Sequence, residues 1–162
     1  MIEKDITVLV INTNDNEPLI NKTLNSISLN LPDCKKEVVS TSNCKTGIIC
    51  GESLSSLVDV GIQNVKTKWA FFVNAGVLLK YKHFKKYFYF NKSDKEILYL
   101  VSLRKYYFFQ SEINGLMIPK QALKDIGLFK NDNDSKLNKL LWSLEASKND
   151  YLLKGIIGTK LI

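Results

Sequence analysis

The sequence predicts an α/β protein on a mostly parallel sheet, and three features carry that reading. Ile6-Thr7-Val8-Leu9-Val10-Ile11 is an unbroken β-favouring apolar run, as expected of a strand covered on both faces. Strand-like runs then alternate with helical apolar stripes as far as Gly76, the order that gives parallel strands joined by crossover helices. Beyond Gly76 the strand signals bunch together, which predicts a mixed second half.

After the first strand, Asn12 to Asn16 is a polar turn, and Glu17-Pro18 opens a helix with proline in the first turn, where its missing N–H does no harm. Ile20, Leu24, Ile27 and Leu31 follow at helical spacing, and Pro32 lies just past the end. Glu37 to Ser40 reads as a short second strand, and the connection from Gly47 to Cys50 has room for another. Leu54, Val58, Ile62 and Val65 form the stripe of a helix from about Glu52 to Lys66, and Trp69 to Val73 is a buried strand ending at the break Asn74-Ala75-Gly76. The next segment, Lys80 to Tyr87, interleaves lysines with aromatics as single-strand nucleic-acid binders do. An amphipathic helix with Tyr81, Phe84 and Phe88 inward and the lysines outward accounts for it better.

Ile97 to Leu103 and Tyr106 to Phe109 read as a hairpin around Arg104-Lys105, and Ile113 to Ile118 as a further strand. Pro119 to Gly127 is a compact helix with proline at its start and glycine at its end. Asp132 to Ser135 then caps a helix striped by Leu137, Leu140, Leu141 and Leu144, and Tyr151 to Ile157 is the last strand.

With 162 residues, 45% of them apolar and 24% charged, the chain has the size and balance of one self-sufficient globular domain, 1–162. No apolar run approaches the roughly 20 residues that span a bilayer, and Met1 to Asp5 lacks a signal-peptide layout, so the expected location is the cytoplasm. Cys34, Cys44 and Cys50 are odd in number and match no zinc spacing; all three are expected to stay reduced. The net charge of +7 is carried almost wholly by lysine, which argues against a nucleic-acid reader built on arginine forks and leaves either an anionic ligand or a solvated lysine surface.

In that order of elements the chain resembles the GT-A domains of inverting glycosyltransferases, the family-2-like nucleotide-diphospho-sugar transferases. Ile20-Asn21-Lys22-Thr23-Leu24-Asn25-Ser26-Ile27 is similar to the family's opening helix, "Leu-x-x-Thr-Leu-x-Ser-Ile". Val38 to Thr46 stands where the family has "Val-Val-Asp-Asp-Gly-Ser", and Val58-Asp59-Val60-Gly61-Ile62 where it has "Ala-x-Asn-x-Gly-Ile". Phe71 to Gly76 stands where it has "Phe-Leu-Asp-Ala-Asp". Leu123 to Phe129 resembles "Leu-x-x-Ile-Gly-Gly-Phe", and Asn133 to Leu137 resembles "Glu-Asp-x-Asp-Leu". The resemblance implies a three-layer α/β/α sandwich with a mostly parallel mixed sheet that takes a nucleotide-diphosphate sugar at the carboxyl ends of its strands.

The same resemblance assigns the site. Asn12, Thr13, Ser40, Thr41, Asp59, Asn74 and Gly76 fall at substrate-binding positions, and Asp134 at that of the general base, where it also reads as a helix N-cap. The departures are as informative. The base-binding stretch Ser40-Thr41-Ser42-Asn43 is neutral, and the Asp-x-Asp pair that would hold Mg2+ or Mn2+ has become Asn74 and Gly76. Hard divalent ions want anionic oxygen, so any such site would be weak, and lysines such as Lys45, Lys80 or Lys82 would have to offset the diphosphate charge. His83, alone among lysines, is a poor ligand candidate. The expectations are therefore a metal-independent or impaired glycosyltransferase, or a non-catalytic GT-A-like binding or assembly module; a nucleotidyltransferase is a weaker third, since it too relies on carboxylates.

Overall fold

The computed structural model describes residues 3–12, 16–40, 49–50, 61–101, 114–127 and 135–157. After a 3-10 turn at Glu3–Asp5, the elements are β1 (Ile6–Asn12), α1 (Glu17–Asn30), β2 (Lys35–Ser40), β3 (Ile49–Cys50), β4 (Trp69–Asn74), α2 (Tyr81–Phe90), β5 (Glu96–Val101), β6 (Met117–Pro119), α3 (Lys120–Ile126), α4 (Ser135–Lys148) and β7 (Leu152–Ile157). Residues 61–64 are helical as well. The hairpin expected around Arg104, the first part of the helix expected from Glu52 and the cap at Asp132 to Asp134 lie outside the described residues.

Among the described residues the strands form one sheet in the order β3-β2-β1-β4-β6-β5-β7. β1 runs parallel to β2 and β4, β2 to β3, and β5 to β7, whereas β6 is antiparallel to both β4 and β5. The parallel first half and mixed second half follow the sequence pattern. Every residue of β1 is buried, because helices cover both faces of the sheet. On one face Ile27 and Leu31 of α1 and Phe84 and Tyr87 of α2 pack on Val8, Val10, Phe71 and Val73. On the other, Val65, Ala122, Leu123, Trp142 and Ala146 pack on Leu9, Ile11 and Phe72. The result is three layers.

Aromatic geometry fixes α2 on its face. The Phe71 ring lies edge-on to Phe84 at 4.6 Å and to Tyr87 at 5.1 Å, and the Tyr87 hydroxyl donates to the Gly115 carbonyl at 2.6 Å. Tyr87 thus takes the inward position expected of Tyr81, which is 51% exposed. In α4 a similar exchange occurs: Leu144 faces solvent, while Trp142 and Ala146 are buried and the indole N–H donates to the Gly127 carbonyl at 3.0 Å. The strand expected from Ile113 is shorter, because Asn114 and Gly115 form a turn and pairing begins at Met117. Pro119 caps α3 from just outside it, and Gly127, at φ 66°, ends it.

At the amino end of β5, buried Glu96 is ion-paired with Lys154 of β7 and accepts the Lys92 backbone N–H at 2.6 Å. Burial alone would raise this carboxyl, but the hydrogen bonds from Lys154 and Lys92 bring it below the ordinary value of 4.5. A depressed carboxylate contributes stability above its unfolded value, and that contribution is lost as pH falls through the folded one. Lys154→Met is therefore expected to lower unfolding free energy by about 1.5–3 kcal/mol near neutral pH. Urea titrations should show the gap to the wild type closing below pH 4.5, once Glu96 is protonated; a gap independent of pH would refute the assignment.

Candidate functional site

Among the described residues the sheet divides at β1. β2 and β3 lie to one side of β1, and β4 and all later strands to the other, so the carboxyl ends of β1 and β4 flank a topological switch point, where open α/β sheets take their ligands. In register, Asn12 pairs with Ser40 and Ile11 with Asn74, so three of the expected site residues end their strands on one rim.

Asn12 and Ser40 are brought together, 1% and 0% exposed. The Asn12 amide donates to Ser40 Oγ at 3.0 Å, and its Oδ1 accepts the Asn16 N–H at 3.4 Å. Asn16 in turn caps α1 by accepting from the Leu19 N–H at 3.2 Å. This pair forms the floor of the rim, tying the ends of β1 and β2 to the start of α1. Strand alternation puts Asn74 on the opposite sheet face, with Ala70 and Phe72. Thr13, Thr41, Asp59 and Asp134 lie outside the described residues, as does the side chain of His83.

The segment leaving β4 is held by α1. Gly76 N–H donates to Thr23 Oγ1 at 2.8 Å and to the Leu19 carbonyl at 3.2 Å; Leu79 N–H donates to Ser26 Oγ at 3.1 Å, and Tyr81 N–H to Asn30 Oδ1 at 3.1 Å. The chain between Gly76 and Tyr81 therefore runs down the helix, from its first turn to its last. Leu19 to Asn30 is about 16 Å of α-helix. Lys80 and Lys82, expected to offset diphosphate charge, are carried by this path to the opposite end of the sheet. That expectation is corrected: of the three lysines considered, only Lys45 is not placed away from the rim, and it lies outside the described residues.

Asn114 is the residue that sequence reading missed. Its Oδ1 accepts the Asn74 backbone N–H at 3.1 Å, which brings the β6 approach to the end of β4. The Asn-Gly pair at 114–115, a turn signal, was the available clue.

The described rim side chains, Asn12, Ser40, Asn74 and Asn114, are all neutral, and among the described residues no group of His, Cys, Asp or Glu is placed to hold a metal ion. These described side chains do not fit a Mg2+ or Mn2+ clamp, which calls for anionic oxygen. The groups with shifted protonation lie elsewhere. Burial pushes the Cys34 thiol, just before β2, up to about 11. Glu96 begins β5. Tyr151, just before β7, is raised to about 12 by burial and by its 2.6 Å hydrogen bond to Asp125, whose own carboxyl is lowered by that bond. Each of Cys34, Glu96 and Tyr151 sits at the amino end of its strand, away from the rim.

Among the described residues the fold is an α/β sandwich of the doubly wound kind, with an antiparallel strand inserted in its second half. No protein-family model matches the chain, and no curated protein is similar to it in sequence. Among solved structures it is similar to the mannosyltransferase PcManGT from Pyrobaculum calidifontis in complex with GDP-Man and Mn2+, with a TM-score of 0.73 at 9% identity over 96% of this chain and 56% of that one. It is also similar to TarS of S. aureus, at TM-score 0.66 and 13% identity over 96% of this chain and 35% of that one. TarS 1-349 in complex with UDP-GlcNAc gives 0.58 and 16% over 95% and 58%. The chain thus spans from about a third to three-fifths of the lengths of these structures. Its fold is GT-A-like, a three-layer sandwich on a mostly parallel mixed sheet.

Gly76 has φ 94°, a conformation that strains any side chain, and a Cβ there would meet the Leu19 side chain at 3.4 Å. Gly76→Asp is expected to cost about 1–3 kcal/mol of stability in chemical denaturation. Asn74→Asp should stay within about 0.5 kcal/mol of the wild type. A Gly76→Asp protein as stable as the wild type would show that this turn is misassigned.

Proposed function

We propose that the chain is a GT-A-like domain that binds a nucleotide-diphosphate sugar at the carboxyl rim of β1, β2 and β4 without a carboxylate-held metal, and that any transfer it performs is slow. The observation that carries this reading is the switch point between β1 and β4, with Asn12, Ser40 and Asn74 ending strands around it. The likeness to structures holding GDP-Man and UDP-GlcNAc supports the ligand class. Asn12 and Ser40 shape the floor, and the neighbouring Thr13 and Thr41 would offer hydroxyls to the nucleoside. Asn74 and the Gly76 turn would border the diphosphate, and Asp59 would contact the donor. Asp134 is the proposed general base, taking the proton of an acceptor hydroxyl as it attacks the sugar with inversion; such proton transfer contributes about 10²–10⁴-fold.

A second reading is favoured by one observation, the neutrality of the described rim side chains Asn12, Ser40, Asn74 and Asn114. A domain that binds the donor but does not turn it over keeps the sheet and the floor and has no need of the carboxylates that neutralise a leaving diphosphate.

Calorimetric titration with UDP-, GDP-, CDP- and dTDP-sugars, with and without Mn2+, separates these possibilities. Binding of at least one donor is expected, with an affinity that Mn2+ leaves unchanged. Absence of binding at millimolar donor removes both readings, and a strong Mn2+ dependence removes metal independence. Where turnover is seen, Asp134→Asn should reduce it by about 10²-fold or more while donor binding persists; undiminished turnover would exclude Asp134 as the base.

A further inference from the structure

The largest concentration of charge on the described surface is one that a donor at the rim does not use. Between Lys80 and Lys92 the chain carries Lys80, Lys82, Lys85, Lys86 and Lys92 and no acidic residue. The orientation of α2 is settled by Phe84 and Tyr87, both buried against the sheet, so its other face is outward. Lys80, Lys82, Lys85 and Lys92 are exposed. Between them stand two aromatic rings out of the core, Tyr81 at 51% and Tyr89 at 69% exposure, the latter with Lys92 Nζ 4.8 Å from its centroid. Leu29, 83% exposed, directly precedes Asn30, whose side chain receives the Tyr81 N–H. Asp94, the acid nearest in sequence, is ion-paired with Lys68 at 2.6 Å.

We propose that this α2 face docks the protein peripherally on a bilayer rich in anionic phospholipid. Lysines on long stems reach a diffuse layer of headgroup phosphates and carboxylates, and each near such a surface strengthens binding about fivefold. Tyrosine is suited to the boundary itself, with an apolar ring for the acyl edge and a hydroxyl for the headgroups. Leu29 adds an aliphatic contact at one end. Single-stranded nucleic acid fits less well, because its binders use a groove with stacking platforms and favour arginine, whereas this is the outer side of a helix armed with lysine. A protein partner fits less well too, since interface cores are depleted of lysine. The inference is independent of what occupies the rim, which lies at the other end of the 76–81 segment.

The test is co-sedimentation of the whole chain with vesicles of phosphatidylcholine alone or mixed with phosphatidylserine, at low and at raised salt. Binding is expected to the mixed vesicles only, and to weaken as salt rises. Lys82→Glu/Lys85→Glu should weaken it at least tenfold. Tyr81→Ser/Tyr89→Ser should weaken it with the salt dependence retained. All four positions are exposed on α2, and unchanged melting midpoints verify that both variants fold. Three results would overturn the proposal: no binding to mixed vesicles, equal binding to both vesicle types, or wild-type binding by the lysine variant. A labelled oligonucleotide that binds more tightly than mixed vesicles, and is released by the same lysine substitutions, would assign the face to nucleic acid instead.

Discussion

The structure depends on a ladder of polar contacts from α1 to the segment that leaves β4. Leu19 O, Thr23, Ser26 and Asn30 stand along one side of the helix and accept the N–H groups of Gly76, Leu79 and Tyr81. Thr23 is fully buried and Ser26 nearly so, and Leu79 is 1% exposed, so its N–H has no water to fall back on. An unpaired buried N–H costs about 1–3 kcal/mol. The ladder also decides direction. It takes the chain from the rim at Gly76 to the far end of α1 and delivers α2 there, where Phe84 and Tyr87 close the core over Phe71.

Two chemically different ends follow from that routing. Among the described residues the carboxyl rim of β1, β2 and β4 keeps small neutral polar groups, while the lysines of α2 are taken away from it. Of the groups with shifted protonation, Cys34, Glu96 and Tyr151 stand at the amino ends of β2, β5 and β7, held by burial and hydrogen bonds. Perturbed ionisable groups often mark catalytic sites. Here they mark joints in the scaffold, as the Glu96–Lys154 pair between β5 and β7 illustrates.

Much of this was legible in the residues. β1 was readable because an apolar run on a doubly covered strand has no alternation to disguise, and α1 because proline, the Ile20–Leu31 stripe and Pro32 bound it on both sides. The resemblance in Thr23-Leu24-Asn25-Ser26-Ile27 pointed to the right helix, but the reason for its polar residues was hidden: their partners lie 53 positions further along the chain. Gly61 was likewise read only as part of a motif, whereas a Cβ there would come within 3.0 Å of Val39 Cγ1, a close approach of helix to sheet. α2 and α4 were placed correctly; Phe84 and Phe88 pack inward as expected, whereas Tyr87 takes the place expected of Tyr81 and Leu144 faces solvent. Lys-aromatic and Leu-rich patterns leave several stripes equally apolar, and only the ring geometry at Phe71 and the Trp142 hydrogen bond choose among them. The Asn-Gly pair at 114–115 signals a turn, but that the Asn114 side chain accepts a backbone N–H 40 residues away leaves no local trace.

The neutrality of the rim is a property of the backbone as much as of its side chains. At the position where the resemblance puts the second aspartate of a metal clamp, the chain turns with φ 94°, and its N–H is already shared between Thr23 Oγ1 and Leu19 O. Thr23 and Leu19 are fixed by their places in α1, so the turn cannot relax without releasing the ladder that seats α2. Asn74, two residues earlier at the end of β4, has its N–H committed to Asn114. Side chains at both positions are therefore subordinate to hydrogen bonds that hold the fold together, and carboxylates placed there would inherit a geometry set by α1 rather than by a metal ion. Among the described residues, neutral hydroxyl and amide groups, not ionic ligands, hold the rim.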